Sequence, residues 1–203
     1  MTNMSLYPNT DQSESLRKDL NTYWEAMQPS IWFASPCSRH SRDADQIPNL
    51  ENYKGEERDR MAKQWYFKLA DDKSIQKLDH LLKTVSEIKP GPEIVATCLQ
   101  KIFGSLRNSA RFDRKVYFNG MMEALSREPH CSAYALLEAT TKFMETETYV
   151  PSIADFLSKV RAHHCGLHYM TSKLNALKAL KHEVEIHLKS IREKEQQAEL
   201  LLA

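Results

Sequence analysis

His163, His164, Cys165 and His168 are the residues whose types and spacing come nearest to chemistry. On a continuous helix His164 and His168 share a face four residues apart, a spacing that can chelate Zn²⁺, and His130 and Cys131 would add ligand types if the helices fold back. No carboxylate stands in register with the pair, and Gly166 lies between its members. The plainer reading is an exposed, polar helix end, where imidazoles suit the negative end of the dipole. Cys37 and His40 are also close, but zinc takes four ligands and no second pair accompanies them. No metal and no cofactor is expected. The carboxylate pairs Glu56-Glu57 and Asp71-Asp72 fall at predicted helix ends with nothing to place an opposing acid near them, so acid–base catalysis by two carboxylates has no support. GxGxxG, GxxxxGK[ST] and GxSxG do not occur. A non-enzymatic protein is expected.

Arg107, Arg111, Arg114 and Lys115 gather at a helix junction, where they could meet phosphates while Tyr117 or Phe118 stacks on a base. Phe112 and Val116 claim the opposite face for core, and a solvated basic face is the commoner explanation. The net charge of +1 gives no global attraction to nucleic acid or anionic membrane. The four cysteines (Cys37, Cys98, Cys131, Cys165) are scattered and read as reduced. With no basic, apolar leader pattern and no run of about 18 apolar residues, the expectation is a cytoplasmic chain outside the membrane.

These residues must be carried by helices. Only five glycines occur in 203 residues, too few for a strand-rich fold with many tight turns, while Leu, Ala, Glu, Lys, Gln and Met abound. The expected class is all-α: a multi-helix bundle with a long, heptad-patterned C-terminal helix. Three regions are anticipated: 1–55 as a helix plus a Pro-rich loop, 56–165 as a helical domain, and 166–203 as the long helix. A first helix runs through Leu16, Leu20, Tyr23, Trp24 and Met27, and Pro29, Pro36 and Pro48 break the segment after it. Within that loop Ile31-Trp32-Phe33 is an apolar triplet, either an anchor onto the domain or a docking motif in which Trp32 and Phe33 grip a partner.

Further helices are expected from Glu56 to about Ala70, then from a Ser74 cap through Ile75, Leu78, Leu82, Val85 and Ile88. Next comes one from Pro92 with a face wide enough to meet more than one neighbour. Ser109 opens the one after it, with Phe112, Val116, Tyr117, Gly120, Met121 and Leu125 along its stripe. Gly120 in mid-helix points to a close crossing. Ser132 caps another helix, and Ser152 with Asp155 closes a capping box after Pro151. From about Gly166, Met170, Leu174, Leu177, Lys181, Val184, Leu188, Ile191, Glu195, Ala198 and Leu202 succeed one another at spacings of four and three, a heptad seam interrupted by two charged residues. Leu174, Leu177, Val184, Leu188 and Ile191 are the expected partner-binding residues, closing either on the bundle or on a second copy.

The order Tyr117, Leu125 and Pro129, then Ala135 and Ala139, then Tyr149-Val150-Pro151-Ser152-Ile153-Ala154-Asp155-Phe156 resembles the loader and inhibitor proteins of DnaB-type replicative helicases, a family of small phage replication proteins. The resemblance covers about residues 92–161. It implies a helical adaptor without catalysis of its own that binds a hexameric helicase, with the C-terminal helix as the engaging segment. The first 89 residues and the continuous heptad helix depart from the smaller members of that family. The alternative is a coiled-coil homodimer acting as a scaffold or regulator.

Overall fold

The computed structural model describes residues 10–34, 48–107, 113–129 and 131–202, and among these it contains seven α-helices and no strand. They are α1 (Thr10–Ala34), α2 (Gly55–Tyr66), α3 (Asp72–Glu87), α4 (Pro92–Ser105), α5 (Arg114–Ser126), α6 (Ala133–Thr146) and α7 (Ile153–Leu202), with a 3-10 turn at Leu50–Asn52 ahead of α2. The all-α expectation holds, and so does the long C-terminal helix. The chain forms two units, one from Met1–Asn21 with His80–Tyr169, the other from Thr22–Asp79 with Met170–Ala203.

In the first unit α4 lies against both α5 and α6, as its broad apolar face requires. Val95, Cys98, Leu99 and Ile102 of α4 share a core with Tyr117 and Met121 of α5, Ala135, Leu136 and Ala139 of α6, and Phe156 and Val160 of α7. The rings of Phe143 and Phe156 stack at 5.3 Å, and Phe103 meets Tyr117 edge-on at 5.2 Å. Alanines along α6 let its neighbours close in. Gly120 has a similar role on α5: a Cβ there would stand 2.9 Å from Cδ1 of Ile153, the first residue of α7. Ser132 caps α6 by accepting from the Ala135 amide. At the head of α7 the Ser152 hydroxyl accepts from the Asp155 amide at 3.1 Å and donates to the Asp155 carboxylate at 2.6 Å, so the box closes between side chains. On α1, Arg17 and Asn21 both donate to Glu138 of α6.

The second unit is organised around Trp65, whose ring takes the edges of Phe33 and Tyr53, each at 5.9 Å. The Leu50 amide donates to Glu183 of α7, and His187 of α7 lies 2.8 Å from Asp59 of α2.

Several elements depart from the sequence expectation. α1 does not stop at Pro29 but runs through it to Ala34. An interior proline costs about 3 kcal/mol. The stripe Leu20, Trp24, Met27, Ile31 and Ala34 is buried along its whole length, and burying Ile31 alone returns about 1.5–3 kcal/mol. The Ile31-Trp32-Phe33 triplet is therefore helical. α2 ends at Tyr66, four residues early, because the carbonyls beyond it find side-chain donors: Ser30 Oγ on Lys68 and Lys181 Nζ on Ala70. Asp71, not Ser74, caps α3, accepting from both the amide and the hydroxyl of Ser74, and these bonds hold its carboxyl below the usual range. α5 begins at Arg114 under an Asp113 cap that accepts from the Lys115 and Val116 amides. Val116 faces outward and is 66% exposed, so it is no part of the core. Ser109 and Phe112 lie outside the described residues. Finally α7 begins at Ile153, and Gly166 sits inside it. The glycine costs about 1 kcal/mol, a cost that burial of Val160, Leu167 and Leu174 on either side outweighs.

Candidate functional site

The heptad seam is already taken by the chain itself. Leu174, Leu177 and Val184 are fully buried, Ile191 nearly so and Leu188 half. As partner-binding residues Leu174, Leu177 and Val184 are corrected: a side chain buried in its own fold does not reach a partner without opening that fold, whereas Leu188 and Ile191 show an edge to an open groove. Lys181, a charge in the seam, is buried too. Its ammonium donates to the Ala70 carbonyl at 2.8 Å and meets Asp72 at 2.7 Å, which ties α7 to the turn between α2 and α3. The charge is thus a specific tie and not a gap in the seam.

Trp32 and Phe33 are likewise held by their own unit. Phe33 packs on Trp65 with the Lys68 ammonium over its ring, and Trp32 keeps a partly exposed face beneath Lys173. Of the basic cluster, Arg107 is exposed and its amide donates to the Thr148 carbonyl, pairing it with Tyr149. Arg114 lies over the Phe103 ring at 5.6 Å, and Lys115 is exposed. Arg111 lies outside the described residues.

His164 and His168 do come together on one face of α7, their rings edge-to-face at 4.9 Å. Burial pushes the neighbouring His163 below the ordinary imidazole range. Among the described residues no group of three or more His, Cys, Asp or Glu side chains is placed to hold a metal ion. His130, Cys37 and His40 lie outside the described residues. The thiols of Cys98 and Cys131 are raised by burial to about 11 and about 12, far from a reactive thiolate at neutral pH.

A recess of about 590 Å³ beside α4 and α5 is lined by Lys89, Pro92, Val95, Met122, Leu125 and Pro129. Its charged groups are engaged elsewhere: Lys89 donates to the Pro129 carbonyl, and Glu128 at its rim pairs with Arg161. Among the described residues, no set of ionisable groups converges there. A smaller groove of about 220 Å³ in the second unit differs in kind. Tyr66 and Phe67 at the end of α2 form one wall and Leu188 and Ile191 of α7 the other, with Lys63, Arg192 and Glu195 at the rim. Phe67 is 87% exposed. Beyond Ile191, α7 continues for three exposed turns carrying Leu200, Leu201 and Leu202, 79%, 87% and 90% exposed.

Single exposed apolar residues are ordinary on a protein surface. A phenylalanine beside an apolar groove, with three leucines farther along the same helix that walls it, exposes more apolar surface than scattered single residues do. Sequence reasoning missed Phe67 because the helix is expected to run past it to Ala70; the signal was the apolar pair Tyr66-Phe67, which falls outside the stripe that Met61, Trp65 and Leu69 form at spacings of four. Among the described residues, no helix is long and apolar enough to cross a membrane. No protein-family model matches this chain, and neither the curated proteins nor the solved structures yield a match to it.

Proposed function

We propose that this chain is a non-enzymatic adaptor that binds a protein partner through the Phe67 groove and the exposed turns of α7, and that the partner is a DnaB-type replicative helicase. The observation that carries the adaptor reading is the apolar surface itself: Tyr66, Phe67 and Leu188 around an open groove, with Leu200, Leu201 and Leu202 farther along α7. Aromatic and aliphatic anchors of this kind supply most of the energy in protein interfaces. The helicase reading is supported by the resemblance over residues 92–161, a stretch occupied by α4, α5, α6 and the capped start of α7. It places the engaging segment farther along α7 than the sequence suggested, past the seam residues that the fold buries.

Co-purification of the full chain with a DnaB-type helicase tests this. The wild type retains the helicase, and Phe67→Glu combined with Leu201→Glu releases it, while circular dichroism shows both proteins folded. A folded wild type that retains no helicase at low salt overturns the reading.

A further inference from the structure

We propose that in the absence of its partner this same surface is covered by a second copy of the chain, through an antiparallel pairing of the last turns of α7. The proposal rests on the reading of this region as a docking surface, not on the identity of the partner. Pattern and burial part company along one stripe. The spacing of four and three continues unbroken from Met170 to Leu202, yet burial stops at Ile191. Glu195, Ala198 and Leu202 therefore continue a seam that stays uncovered among the described residues. A helix cannot fold back on its own next turns, so the leucines of one α7 do not enter the groove on that same helix; those of another copy do.

Charge chooses the orientation, because parallel seams in register would set Glu195 against Glu195 of the second copy. Two seams run antiparallel so that Ile191 lies opposite Leu202 of the second copy set Glu195 opposite Ala198 of that copy. The twofold axis repeats both pairs. In this register the flanking positions bring Arg192 beside Glu199 of the second copy, twice, an opposite-charge pairing of the kind that fixes partner and direction in paired helices. Glu195 enters the shared seam with a counter-ion in place, since Lys63 of α2 lies 3.9 Å from it. The groove between Phe67 and Ile191 then receives Leu202 of the second copy, and the overlap spans about 18 Å of helix at 1.5 Å per residue. A contact of that size sits at the low end of specific interfaces, and the dimer is expected to dissociate in the micromolar range.

Light scattering coupled to size exclusion, with sedimentation equilibrium for the dissociation constant, tests this on the full chain. The wild type is expected at dimer mass near 100 µM, about tenfold or more above its dissociation constant, and to dissociate on dilution. Leu201→Glu with Leu202→Glu abolishes the dimer; both positions are exposed, so the fold is unaffected. Arg192→Glu or Glu199→Arg alone weakens association at least about tenfold, and the two together restore it. A wild type that is monomeric near 100 µM overturns the proposal. So does a dimer indifferent to the leucine substitutions, or a charge exchange that fails to restore it. A dimer that obeys these variants while retaining no helicase overturns the adaptor reading alone. A helicase-binding chain that never dimerises overturns this one alone.

Discussion

Replacing Lys181 by methionine removes one ammonium while keeping most of the apolar stem. The lysine side chain is 9% exposed; Nζ donates to the Ala70 carbonyl at 2.8 Å and lies 2.7 Å from Asp72. A hydrogen bond from a charged donor contributes roughly 1.5–3 kcal/mol. The Asp72 carboxylate is 69% exposed, so solvent screens its pairing to about 1 kcal/mol or less. Against these stands the cost of desolvating an ammonium, which methionine does not incur and which brings the net loss below the sum of the two gains. The expected net loss is about 1–2 kcal/mol. Lys181→Glu, which sets a carboxylate against the Ala70 carbonyl, Asp72 and Glu185, is expected to cost about 3–5 kcal/mol.

With a urea slope of about 2 kcal/mol per molar, the methionine variant's midpoint by circular dichroism falls by about 0.5–1 M. Because the tie holds the turn just beyond Phe67, amide hydrogen exchange across residues 66–75 accelerates in the same variant. Wild-type stability together with unchanged exchange there would refute the argument that this charge anchors the turn beside the groove.

Three other outcomes are expected. Tyr117→Phe removes a buried hydroxyl that donates to the Pro151 carbonyl at 2.9 Å and leaves that acceptor unmatched, so stability by urea denaturation drops by about 1–2 kcal/mol with the fold intact. In a Cys37→Ser background, a maleimide at neutral pH labels exposed Cys165 first, while Cys98 and Cys131 stay unmodified until urea unfolds the chain. Peptide mapping reads the order. The bond from Lys101 at 2.7 Å holds Glu14 below its ordinary 4.5. A carboxyl depressed in the folded state stabilises above its unfolded value and loses that contribution as pH falls through the folded one. Glu14→Gln should therefore lower the urea midpoint at neutral pH, and the difference from wild type should shrink in acid.

Periodicity made α4 and α6 legible because their apolar stripes, starting residues and flanking prolines agree with one another; on α3 the stripe was legible and the cap was not. Ser132, Pro92 and the Ser152-Asp155 pair act at helix starts as their chemistry demands. The same local logic failed at Pro29 and Gly166. There a backbone cost of a few kcal/mol or less is set against burial on both sides, and that burial depends on what the helix meets in space. The site shows the same division. His164 and His168 were placed correctly on one helix face, whereas the groove beside Phe67 depends on where α2 ends, which Ser30 and Lys181 decide from distant parts of the sequence.

The amino-acid sequence by itself determined that the chain is helical, which residues of the last helix form one stripe, and that the stripe carries two charges. Only the tertiary structure decided which part of that stripe the protein keeps for its own core and which part stays exposed. The physical reason is that periodicity records that a face is apolar, while the surface that covers that face is a long-range property. From Leu174 to Val184 the seam is buried within the chain, at Leu188 and Ile191 it borders the groove, and from Glu195 onward the same pattern stands in water.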